Sequence, residues 1–152
     1  MRCLLHIFVI SVFCIVSKMS FATEYECNCK KYNGLTTSIN GTENETTVSD
    51  KCTNIKPLLL EQEEGYLSMS LTNGSAYKSY DVIKETKSFV QAQDFKGEDN
   101  FSKLNFNKNS KSLRIKTNYQ TEREARWNGD KLILPYSYFK MTQNMSFSCK
   151  KL

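Results

Sequence analysis

Histidine is almost missing from this 152-residue chain: the one present is His6. Beyond that residue, Ser-His-Asp and Cys-His catalysis, His-ligated metals and an imidazole pH switch are all excluded. An enzyme built on the remainder would have to work with carboxylates, Lys, Tyr or Ser alone. The chain is therefore read as a non-enzyme. Proline (2) and glycine (6) are too scarce for a collagen-like or proline-rich linker protein. Only one apolar run is present, Leu4 to Val16, and about 20 such residues are needed to span a bilayer as a helix. A membrane-spanning protein is not expected.

That run follows Met1-Arg2 and precedes the more polar Ser17-Lys18-Met19-Ser20-Phe21-Ala22. A charged start, a short apolar middle and small residues at Ser20 and Ala22 are the three parts of a secretory signal peptide. The division expected is a signal over residues 1–22 and a single domain over 23–152, in a secreted or periplasmic protein. Of six cysteines, Cys3 and Cys14 leave with the signal, and Cys27, Cys29, Cys52 and Cys149 remain. An even number in an exported chain reads as disulfides. Residues i and i+2 of a strand are poorly placed to bond, so Cys27 does not pair with Cys29. Of the two pairings left, Cys29–Cys52 with Cys27–Cys149 is preferred over the swapped set. The Cys-x-Cys spacing argues against a thiolate zinc site, and no metal or cofactor is expected.

After Tyr66 the hydrophobic period becomes two. Leu67, Met69 and Leu71 alternate with polar residues, as do Leu104 with Phe106, and Leu113 with Ile115. Asn73-Gly74 and Asn128-Gly129 are hairpin signals. Eight to ten short strands joined by tight turns imply antiparallel neighbours. The fold expected is all-β: a small antiparallel β-barrel, preferred over a sandwich, with two disulfides. One short helix is expected at Pro57 to Glu64, between a proline at its first position and the stop at Gly65. The polar stretch 33–51 reads as a mobile loop, with a weak hairpin at Asn40-Gly41.

Charge is unevenly distributed. Residues 23–100 carry 8 basic and 13 acidic groups, and residues 101–152 carry 11 basic and 3 acidic ones. If Leu104, Phe106, Leu113 and Ile115 point inward, then Lys103, Arg114 and Lys116 point outward, and Arg126 does so beside Trp127. These four form a candidate face for a protein or anionic partner; the plain alternative is a solvated wall that blunts strand edges. No nucleic-acid motif is present. Tyr77, Tyr80, Tyr119, Tyr136 and Tyr138 are candidates to line a ligand cavity inside a barrel. Glu61, Glu63 and Glu64, and Asp94, Glu98 and Asp99, are the carboxylate clusters a hydrolase would use. Asn40, Asn44, Asn73, Asn100 and Asn144 head Asn-x-Ser/Thr sequons, which a eukaryotic or viral host would glycosylate. The functions expected, in order, are a non-enzymatic binding or inhibitory module, a small-ligand barrel, and a carboxylate-based hydrolase.

Overall fold

The computed structural model describes residues 22–152. The expected signal lies outside the described residues except for Ala22. Eleven strands and one turn of 3-10 helix are formed by those residues. The first strand, β1 (Thr23–Asn40), is long and is followed by β2 (Glu43–Ser49), the 3-10 turn (Cys52–Asn54), β3 (Leu58–Glu63) and β4 (Tyr66–Leu71). Next come β5 (Lys78–Glu85), β6 (Phe89–Phe95), β7 (Phe101–Asn107) and the long β8 (Ser112–Arg123). A small hairpin, β9 (Arg126–Asn128) and β10 (Lys131–Leu134), leads into β11 (Ser137–Lys151).

Antiparallel pairing runs β1-β3-β4-β5-β6-β7-β8-β11, and β11 returns to β1, closing an eight-stranded barrel. Closure removes the open edges that a sandwich would leave. Alternation sorts the two faces. Leu104 and Phe106 of β7 pair with Ile115 and Leu113 of β8, and all four are buried. Leu60, Leu67, Tyr80, Val90, Ala92, Phe147 and the pair Cys27 and Cys149 complete the core, with the Tyr25 ring edge-on to Phe106 at 4.7 Å between centroids. The barrel is thus filled by side chains, as eight-stranded barrels of this width are.

Both disulfides have the preferred connectivity. Cys27 of β1 stands opposite Cys149 of β11 and bonds to it across the closing seam. Cys29 bonds to Cys52, fixing the 3-10 turn to β1. Two disulfides suit an oxidising compartment.

Residues 57–64 are not a helix. Leu58 and Leu60 face inward opposite Leu71 and Met69, whereas Leu59 pairs with Ser70 on the outer side. Three successive leucines fit a strand or a helix equally well by period, and the pairing offered by β1 and β4 decides. Nor is 33–51 a loop. Asn40 pairs with Glu43 across a two-residue turn, with Gly41 at φ 63°, a left-handed value that suits a residue without Cβ. The tip is held from outside the hairpin, because the Gly41 amide donates to the Tyr136 carbonyl at 2.8 Å.

β1, β8 and β11 are longer than their barrel partners. β3 pairs with β1 only as far as Cys27, and β7 with β8 only as far as Asn118. Above the barrel mouth the strands continue as a four-stranded arm, ordered β2-β1-β11-β8. The hairpin β9-β10 prolongs it and exposes Trp127, Leu132 and Ile133.

Candidate functional site

The outer wall of the barrel across β6, β7, β8, β11 and β1 is polar by alternation. One row reads Gln93, Lys103, Lys116, Asn144 and Asn33 from strand to strand. The next reads Gln91, Asn105, Arg114, Ser146 and Lys31. Lys31, Lys103, Arg114 and Lys116 are all exposed. By backbone position Lys103 and Lys116 are neighbours roughly 5 Å apart on adjacent strands, Arg114 and Lys116 are roughly 7 Å apart along β8, and Lys31 is two strands, roughly 10 Å, from Arg114.

None of the four takes part in an ion pair among the described residues; the two ion pairs there are Lys78–Asp94 and Lys108–Glu85. Both rows are free of carboxylates between β6 and β1. The nearest one in register is Asp81 of β5, which pairs with Gln93 and so lies two strands from Lys103, about 10 Å away. Neutral amides fill the spaces: Gln91 Nε2 donates to Asn105 Oδ1 at 2.8 Å. The Lys103 ammonium sits 5.0 Å from the centre of the Phe101 ring, a cation–π contact that leaves it open to solvent. A shallow groove of about 470 Å³ follows Lys31, Asn33, Arg114, Lys116 and Asn144.

Three of the four cations expected on this face are therefore together. Arg126 is not with them; it lies on the distal hairpin opposite Leu134. Lys31 takes its place on the wall. Strict alternation from Cys27 and Cys29 would have aimed Lys31 into the core. The pairing shifts by one between Cys29 and Lys31, a β-bulge that turns Lys31 outward.

The tyrosines do not meet in one cavity. Tyr80 is buried in the barrel, with its pKa pushed up to about 12, first by burial and then by the nearby Asp94 charge. Tyr77 is exposed on the outer wall, its hydroxyl 2.9 Å from Ser68 Oγ. Tyr119 and Tyr138 lie on opposite faces of the arm, where the Tyr138 hydroxyl donates to Gln120 Oε1 at 3.2 Å. Tyr136 lies at the bend before β11. A barrel interior packed with Leu, Val, Phe and Ile leaves these rings no shared space.

The carboxylates are dispersed as well. Asp94 is bound to Lys78 at 2.8 Å, which holds its carboxyl below the usual range, while Glu98 and Asp99 lie in the turn after β6. Among the described residues no group of three or more His, Cys, Asp or Glu side chains converges as metal ligands would, and no helix is long and apolar enough to cross a membrane. Of the sequon asparagines, Asn40, Asn44, Asn73 and Asn144 are exposed, and Asn144 stands on the cationic wall beside Lys116. Asn100 is half-buried and accepts the Gln120 amide at 3.0 Å. No family model, curated protein or solved structure matches the chain.

Proposed function

We propose that this chain is an exported, non-enzymatic binding module whose cationic outer wall docks a polyanionic partner. The observation that carries the reading is the set of four exposed cations, Lys31, Lys103, Arg114 and Lys116, with no carboxylate paired to any of them among the described residues. Like charges on adjacent strands are unfavourable in the free protein, and an anionic chain laid across them relieves that repulsion. A closed barrel keeps the backbone of the array in register, so that only its side chains have to be ordered on binding. The Ser20-Phe21-Ala22 signal end supports export, and the two disulfides suit the destination.

Retention on immobilised heparin tests this. The protein is expected to elute at a salt concentration that falls stepwise for Lys103→Ala, Arg114→Ala and Lys116→Ala, with a shallower salt dependence for each charge removed. Arg126→Ala, distant on the hairpin, is expected to elute as the parent does. Equal elution of all four variants, or no retention of the parent, rejects the cationic wall as the docking surface.

A further inference from the structure

The barrel interior is full, but one side of its mouth is open. β2 pairs with the upper half of β1 and β3 with its first five residues, so from Asn28 to Asn33 that edge of β1 has no strand partner among the described residues. The 3-10 turn and the segment after it cross this gap and leave a groove of about 640 Å³. Small-molecule sites commonly occupy roughly 300–1,000 Å³ and favour the mouths of barrels.

The groove has two chemical halves. Its floor is apolar: Leu58, Leu71 and Met145 face the barrel axis, and Ile55 packs on the same core. One wall is the Tyr32 ring, laid over the buried Gly34 so closely that a Cβ there would strike it. The Tyr32 hydroxyl accepts from Gln143 Nε2 at 2.9 Å, which fixes the ring. The rim carries Lys51 and Lys56, both exposed and neither in an ion pair among the described residues. No carboxylate lines the groove. Across the mouth, Lys78 is by contrast neutralised by Asp94 at 2.8 Å. The Cys29–Cys52 bridge anchors the segment bearing Lys51 and Lys56 to β1, so the rim is held in place.

We infer that this groove binds a free single-chain anionic amphiphile of the fatty-acid class. The hydrocarbon chain lies on Ile55, Leu58, Leu71 and Met145, and the carboxylate sits between Lys51 and Lys56. Apolar area supplies the affinity, and two unpaired ammonium groups select an anionic head over a neutral one. The site is separate from the cationic outer wall and does not depend on it.

Titration calorimetry of the purified, disulfide-bonded chain with dodecanoate, kept below its micelle-forming concentration, tests the inference. Saturable binding of one dodecanoate per chain is expected, with dodecyl maltoside, whose head is neutral, weaker by roughly tenfold or more, the worth of one charge-assisted hydrogen bond. The Lys51→Gln/Lys56→Gln double variant changes two exposed residues, and it is expected to fold and to lose that preference. Arg114→Ala/Lys116→Ala is expected to keep it. Absence of saturable heat from the parent chain overturns the inference, as does an unchanged preference in the double lysine variant. Co-sedimentation with phosphatidylglycerol vesicles without dodecanoate binding overturns it in favour of a membrane surface.

Discussion

Lys103 on β7 and Lys116 on β8 stand directly opposite one another on the outer wall, two like charges on neighbouring strands. Such a pair opposes folding, and Lys103→Glu turns it into an attractive one. The variant is expected to be more stable at low salt by a few tenths to about 1 kcal/mol, because both groups are exposed and screened. It is also expected to elute earlier from heparin. Urea unfolding and heparin chromatography on one preparation check both halves; a less stable Lys103→Glu protein contradicts the repulsion.

Tyr80 makes stability depend on alkaline pH. Its pKa lies near 12 in the folded protein against an ordinary 10.0, because burial and the Asp94 charge both disfavour the phenolate. The unfolded chain ionises first, so Tyr80 contributes its full stabilisation below pH 10 and loses it as pH rises toward 12. The difference between 10.0 and about 12 corresponds to roughly 3 kcal/mol. Denaturant unfolding at pH 9 and pH 11.5 should differ by less in Tyr80→Phe than in the parent. Tyr136 is also raised, by desolvation and by its contact with Glu122, so absorbance titration should show a late-ionising component that shrinks in Tyr80→Phe.

Removal of the two disulfides should cost unequal amounts. Cys27–Cys149 closes a separation of 122 residues and Cys29–Cys52 one of 23. The chain-entropy treatment gives about 5 and about 3 kcal/mol respectively. Cys27→Ala/Cys149→Ala is expected to lower the urea midpoint more than Cys29→Ala/Cys52→Ala. The reverse order would mean that the 3-10 segment, rather than the barrel seam, limits stability.

Gly34→Ala drives a methyl group into the Tyr32 ring. Displacing the ring breaks the Tyr32–Gln143 hydrogen bond, and a loss of about 1–3 kcal/mol is expected. The clash needs both residues, so Gly34→Ala/Tyr32→Ala should be more stable than the sum of the single changes implies. Additive losses in a double-mutant cycle would show that the added methyl does not act through the Tyr32 ring.

Much of the barrel can be read from the chain because its inward residues keep strict alternation on both partners of a hairpin. Leu104, Phe106, Leu113 and Ile115 announce two paired strands and, by default, the outward Lys103, Arg114 and Lys116. The failures come where a distant partner decides. The Asn40-Gly41 turn is legible, but the polar residues 33–51 show no apolar period, and the strands that the turn joins are held as strands by β11, over 90 residues away in sequence. Amide exchange should accordingly be slow at Thr36 to Ile39, which lie between β2 and β11, and faster along the outer edge of β2. Lys31 was hidden by the bulge at Lys30, which no local pattern marks. The groove at the mouth was hidden for a similar reason: Tyr32, Ile55, Leu71 and Gln143 meet only after the sheet has closed.

The Cys27–Cys149 bond also makes the barrel mechanically insulated. Tension applied between Thr23 and Leu152 peels only the segments outside the bridge, where the Leu152 amide is held by the Glu24 carbonyl at 3.0 Å, and it draws Thr23–Glu26 off β3 with the Tyr25 ring. The load then passes from sulfur to sulfur and bypasses the strands above. Stretched from those two points, the oxidised molecule should bear force as a covalent tether while everything between Cys27 and Cys149 stays slack, and only a reductant would let the pull unravel it.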